Sequence, residues 1–85
     1  MAGYKIFFKK SVEKDLKSAP ARDLEKIFER ISMLAENPRP PGCEQLTGRE
    51  RYRIRQGAYR ILYTIQDHEL TVWIIKIAHR KDAYR

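Results

Sequence analysis

The sequence holds one cysteine, two histidines, one tryptophan and no long apolar run, and each scarcity removes a class of protein. With Cys43 alone no internal disulfide can form, so the chain reads as one that works in the reducing cytoplasm. Cys43 lies in a Pro/Gly-rich connection with no catalytic neighbour in sequence, which makes a passenger thiol the simpler reading than a nucleophile. His68 and His79 cannot join that cysteine in a metal site at any usual spacing, so neither metal nor cofactor is expected. No segment approaches the roughly 20 apolar residues of a membrane span, and no N-terminal stretch resembles a signal peptide.

Acid is also short. Eleven Asp and Glu stand against eighteen Lys and Arg, a net charge of +7. Residues 1–48 carry nine basic and seven acidic side chains, whereas residues 49–85 carry nine and four. An excess of that kind points to a polyanion as partner, either nucleic acid or an acidic protein. The 85 residues fit one domain, 1–85, and a hydrophobic share of 42% arranged in periodic blocks is enough for a small core.

The period of those blocks changes along the chain. Tyr4 to Phe8 is a short apolar run that reads as a strand. Ser11 suits an N-cap, with Glu13 and Asp15 in the first turn of a short helix ending near Lys17. Pro20 suits the first position of a second helix, in which Leu24, Ile27, Phe28, Ile31, Leu34 and Ala35 recur at helical spacing over Arg22 to Glu36. Asn37-Pro38 stops that helix, and Pro40 to Gly48 reads as a loop. Beyond it the period is two: Arg49 to Gln56, a turn at Gly57, Tyr59 to Gln66, a polar turn at Asp67-His68-Glu69, then Leu70 to Ala78. The order is strand, two helices, then three antiparallel strands, which predicts an α+β fold with the helices on one face of the sheet. Within these strands Tyr63 and Trp73 read as core.

Residues two apart in a strand share a face, so Arg53 and Arg55 point one way while Tyr52 and Ile54 point the other. If the hairpin closes at Gly57, Arg60 joins them. Gathering guanidiniums is unfavourable in itself, and no residue from 51 to 66 is acidic. Every basic residue from Arg49 to Arg60 is Arg, the side chain whose planar fork fits phosphate bidentately.

Two stretches carry a family resemblance. Tyr52-Arg53-Ile54-Arg55-Gln56-Gly57-Ala58-Tyr59-Arg60-Ile61-Leu62-Tyr63 resembles the central hairpin of RelE-type toxins, and Ile77-Ala78-His79-Arg80-Lys81-Asp82-Ala83-Tyr84 resembles their closing motif. Asn37-Pro38, Gln45-Leu46 and Gly48 also sit where the RelE/ParE superfamily places its helix end and the approach to the next strand. The resemblance implies a fold like small microbial ribonucleases and a toxin that binds the ribosome at its A site and cuts mRNA there. It also implies a cognate RelB-like antitoxin that covers the basic face in a hetero-oligomer. Carried over by position, the catalytic set is Arg53, Arg55, Arg60, Arg80 and Tyr84, with His79 a weaker member; Arg49, Arg51, Lys81 and Arg85 would add RNA contacts. The ParE branch, known for poisoning DNA gyrase, and a catalytically inactive RNA- or antitoxin-binding module are the rival readings.

Metal-independent cleavage by ribose 2′-OH attack needs a base, positive donors around the phosphorane-like oxygens and an acid for the leaving 5′-oxygen. Better-studied relatives often have Lys where this chain has Arg53 and Arg55. Deprotonating Arg at neutral pH costs about 7.5 kcal/mol, against about 4 for Tyr and almost nothing for His. Tyr84 or His79 is therefore the expected proton acceptor, and the arginines are expected to position substrate and stabilise charge.

Overall fold

The computed structural model describes residues 3–46 and 50–81. Chain order runs β1 (Lys5–Phe8), α1 (Val12–Lys17), α2 (Ala21–Met33), β2 (Glu44–Gln45), β3 (Arg51–Gln56), β4 (Tyr59–Gln66) and β5 (Thr71–His79). The expected α+β architecture is present, with two helices and a five-stranded sheet ordered β1-β5-β4-β3-β2. β3, β4 and β5 form the expected antiparallel meander, whereas β1 pairs in parallel with β5, Phe7 opposite Trp73.

Several boundaries differ from the sequence reading. Pro20 is the N-cap of α2 instead of its first residue: its backbone is extended, and its carbonyl accepts from the amides of Asp23 and Leu24. Ser11 holds the N-cap position of α1 without a capping side-chain bond, its own backbone already being helical. α2 closes at Met33, and turns carry the chain through Glu36. The loop expected from Pro40 contains β2, where Glu44 and Gln45 pair with Arg53 and Tyr52. A two-residue strand leaves little apolar pattern to read.

Alternation on β3 and β4 decides what is buried, and β5 follows it with one irregularity opposite Leu62 and Tyr63 that sets Ile74 and Ile77 three apart. Tyr52, Ile54, Tyr59, Ile61, Tyr63, Ile65, Val72, Ile74 and Ile77 face Ile27, Ile31 and Leu34 from the α2 segment, with Val12 of α1 closing the end. Tyr63 is fully buried, and its hydroxyl donates to the Pro38 carbonyl at 2.7 Å. Burial pushes that phenol's pKa up, because the anion would lose its hydration. Trp73 does not belong to this core. The residues flanking it, Val72 and Ile74, point inward, so the indole lies half-buried on the opposite face, stacked on Phe7 with ring centroids 5.0 Å apart. An apolar strand in a sheet with one open face hides its alternation when the outward positions are also hydrophobic.

The chain after α2 is tied down electrostatically. Arg39 donates through both terminal nitrogens to Asp67, at 3.1 and 2.9 Å, and through Nε to the Tyr52 hydroxyl at 3.2 Å. Tyr4 donates to the same carboxylate at 2.7 Å. One aspartate thus joins the residue before β1, the post-helix loop, β3 and the β4–β5 turn. The Arg39 guanidinium, with help from Tyr4, holds the Asp67 pKa at about 2, below its ordinary 3.8. A depressed carboxylate pKa contributes stability above the ordinary value, and that contribution disappears as pH falls towards the depressed one. Asp67→Asn is accordingly expected to lower Tm by a few degrees at neutral pH. The gap should narrow below pH 3.8 and close near pH 2, as followed by thermal melts of both proteins across that range.

Candidate functional site

The site is built by the β3–β4 hairpin. Gly57 takes a positive φ of 58° in the two-residue turn between Gln56 and Tyr59, a geometry that glycine adopts without strain. The resulting register sets Arg55 directly opposite Arg60, and Arg53 opposite Leu62. Beyond β5 the Arg80 amide donates to the Ala58 carbonyl at 2.6 Å, pinning the closing motif against the turn. Arg55, Arg60 and Arg80, with Gly57, Ala58 and Tyr59, line an open cleft of about 220 Å³. Guanidiniums from β3, from β4 and from the segment after β5 thereby share one small space.

The other candidates are placed differently. Arg53 shares the face of Arg55 but does not line the cleft; its guanidinium donates to Glu44 of β2 at 2.9 Å. The acid that no residue between 51 and 66 supplies comes from the neighbouring edge strand. Sequence reasoning missed Glu44 because only the sheet register brings it beside Arg53. Arg51 is exposed at the far end of β3, and Lys81 is exposed just past Arg80. Arg49, Tyr84 and Arg85 lie outside the described residues.

His79 is not brought to the arginines. It pairs with Tyr59, whose ring packs into the helix-side core, and meets that ring edge-on at 5.1 Å. Its Nδ1 accepts from the Lys81 amide at 3.2 Å, and it lines a second cavity of about 260 Å³ with Asp15, Ser18 and Tyr59 on the α1 side. Strand parity is the reason: neighbours in a strand point to opposite faces, so a chain that aims Arg80 at the cleft aims His79 away. The Tyr59 hydroxyl reaches towards Asp23 at 3.4 Å, and burial followed by that carboxylate raises its pKa. Tyr59 therefore holds its proton and serves packing.

Among the described residues the ion pairs are Arg39–Asp67, Arg53–Glu44 and Lys76–Asp15; none involves Arg55 or Arg80. No group of three or more His, Cys, Asp or Glu able to hold a metal occurs among the described residues. The cleft therefore offers hydrogen-bond donors and positive charge of the kind that binds phosphate oxygens, and no carboxylate or imidazole from the described residues lines it.

Comparison with known proteins fits this geometry. Residues 6–84 match the family model described as ParE toxin of type II toxin-antitoxin system, parDE. The toxin RelG of Mycobacterium tuberculosis is 34% identical over 86 residues, covering 96% of this chain and 97% of that protein. The archaeal RelE-RelB complex from Pyrococcus horikoshii OT3 contains a chain that superposes with a TM-score of 0.83 at 27% identity, covering 92% of this chain and 96% of that one. The toxin-antitoxin complex RelBE2 of Mycobacterium tuberculosis gives a TM-score of 0.82 at 30% identity, with 92% and 99% covered.

The Arg55–Arg60 register has a measurable cost. Like charges directly opposite in a sheet repel, and opposite charges attract, each by some tenths of a kcal/mol. Arg55→Glu is expected to raise stability by about 0.5 kcal/mol in urea denaturation. A destabilised variant would show that the cross-strand pair is not repulsive.

Proposed function

The chain belongs to the RelE/ParE superfamily of toxins from type II toxin-antitoxin systems, and on that premise we propose that it is a ribosome-dependent endoribonuclease that cuts mRNA in the A site without a metal. The observation that carries this reading is the convergence of Arg55, Arg60 and Arg80 on one cleft. A toxin acting through protein contacts alone gains nothing from three clustered guanidiniums, whose repulsion must be offset elsewhere. A phosphodiester passing to a phosphorane-like state gains negative charge on its equatorial oxygens, and preorganised donors stabilise that state more than the ground state.

In the proposed reaction the 2′-oxygen attacks the adjacent phosphorus while the bond to the 5′-oxygen breaks, leaving a cyclic phosphate and a 5′-oxygen that takes its proton from water to become a hydroxyl. Arg60 and Arg80 hold the non-bridging oxygens and Arg55 orients the phosphate on the 5′ or 3′ side. Tyr84, four positions beyond Arg80, is the proposed acceptor of the 2′-OH proton. Its phenolate, the form that accepts the proton, is reached near neutral pH at a smaller cost than a neutral guanidine, and cations nearby would lower that cost further. His79, turned to the helix side, is left with a structural role. Arg53, Arg51, Lys81, Arg49 and Arg85 are proposed to hold flanking phosphates. The proposed protein partner is a RelB-like antitoxin, in line with the RelE-RelB and RelBE2 complexes that contain similar chains. The working compartment is then the cytoplasm, where translation runs; no described helix is long and apolar enough to cross a membrane.

The family model is described as a ParE toxin, which keeps a second reading in view: that the chain inhibits DNA gyrase, the activity that resemblance to the ParE branch implies. One experiment separates the two. After induced expression, mRNA ends are mapped on translating ribosomes for the wild type and for Arg60→Ala, Arg80→Ala and Tyr84→Phe. The nuclease reading expects codon-phased cuts that fall at least about 100-fold in each arginine variant, the scale of losing one oxyanion donor. Tyr84→Phe is expected to lose a similar factor. Growth arrest with intact mRNA and blocked supercoiling by purified protein would sink it.

A further inference from the structure

The open face of the sheet continues well past the arginine cleft. On β1, Ile6 packs on the core and Phe8 meets Phe28 of α2 edge-on, so Lys5, Phe7 and Lys9 alternate on the outward side. Phe7 is 43% exposed and stacks on Trp73 at an interplanar angle of 29°. The Lys9 ammonium lies 5.3 Å from the centre of the Trp73 ring. Across β5, Trp73 pairs with Thr64, four residues along β4 from Arg60. At about 3.3 Å per residue the two positions are ~13 Å apart on the same face, within reach of a few nucleotides of extended chain.

We propose that Phe7 and Trp73, with Lys5 and Lys9, form a stacking subsite for an unpaired nucleobase of the RNA whose phosphodiester occupies the arginine cleft. The proposal rests on the nuclease reading and extends it to a part of the substrate away from the scissile bond. Three observations favour RNA over a peptide as occupant. The charged groups on this face among the described residues are cationic except Glu44, and Glu44 is already engaged by Arg53. The aromatic pair lines neither the arginine cleft nor the cavities beside Asp67 and His79, whereas side-chain anchors of protein partners seat in pockets. A basic–aromatic–basic alternation beside a second ring is also the usual composition of single-strand platforms, in which rings stack bases and cations track the backbone.

Trp73 is the only tryptophan, so its fluorescence reports this subsite directly. A short 2′-O-methyl oligoribonucleotide, which cannot undergo 2′-OH attack, is titrated into the full-length protein and into Phe7→Ala, Phe7→Tyr and Arg60→Ala. Quenching that saturates with binding is expected for the wild type. Phe7→Ala should weaken binding by about 5- to 150-fold, the range for losing one base stack. Phe7→Tyr should restore it, and Arg60→Ala should weaken binding while keeping full quenching at saturation. Thermal melts identify any variant that has merely unfolded. Unchanged affinity and unquenched Trp73, with Arg60→Ala still impaired, overturn the subsite and leave the nuclease reading standing. Impairment by Phe7→Ala with Arg60→Ala unaffected leaves the platform and removes the cleft. Wild-type RNA affinity in Phe7→Ala, coupled with failure of a co-expressed antitoxin to relieve its growth arrest, assigns the surface to the antitoxin and also overturns the proposal.

Discussion

One constraint organises the molecule: the sheet has helices on a single side. Every second residue of β3 and β4, and the inward residues of β5, must then be apolar to meet Ile27, Ile31 and Leu34, and the other positions are released from packing. The released positions hold Arg51, Arg53 and Arg55 on one strand, with Arg60 across from Arg55. Core and cationic surface are thus two phases of one period-two pattern. A one-residue slip of register would bury the arginines and expose the tyrosines and isoleucines, so the core that stabilises the fold also fixes where the charge lies. The fold needs that fixing, since a chain of this length buries only a modest share of its surface and has little stability to spare.

The same constraint explains what is legible in the sequence. Ile27, Ile31 and Leu34 announce α2 through helical spacing, and Tyr52, Ile54, Ile61 and Ile65 announce the meander through alternation; both signals are local. Arg55, Arg60 and Arg80 are readable as a group, since a hairpin at Gly57 and a closing motif after β5 leave few ways to arrange them. Glu44 is not, because its meaning comes only from pairing with Arg53 across strands, one of which is too short to show a period. The parallel pairing of β1 with β5 is likewise non-local. Trp73 reads wrongly as core because residues on both sides of it are apolar, and hydrophobicity alone does not say which face of a strand is covered. His79 falls in with the arginines by sequence adjacency, although adjacency in a strand means opposite faces.

Repulsion within the cleft also bears on how the chain meets a partner. Any polyanion that binds the folded state and not the unfolded chain adds stability in proportion to the logarithm of its concentration over its Kd. Relief of the Arg55–Arg60 repulsion belongs to that gain, so the cost built into the free protein returns on binding, whether the ligand is RNA or an acidic segment of an antitoxin. Glu44 tempers the arrangement: it neutralises Arg53 at the edge, outside the cleft. An exposed pair of this kind is worth little in stability. Its larger effect is on recognition, because it concentrates the uncompensated field at Arg55 and Arg80 instead of spreading it along β3.

A cleft whose charged lining, among the described residues, is arginine limits the chemistry that can follow. Guanidinium donates five hydrogen bonds and keeps its charge, so it can hold a phosphate and stabilise developing negative charge, but it is a poor acceptor of the 2′-OH proton. Of the two residues able to take that proton, His79 is held on the other face by Tyr59 and the Lys81 amide, which concentrates the burden on Tyr84. A phenol near neutral pH is a reluctant base, so proton abstraction alone would supply only part of the rate. The remainder would have to come from geometry. Alignment of the 2′-oxygen with the scissile bond can be worth several kcal/mol, and an 85-residue protein with an open cleft has little surface with which to impose it. The ribosome dependence proposed above accords with that composition: an enzyme that supplied electrostatic stabilisation and little else would need its substrate already held in place.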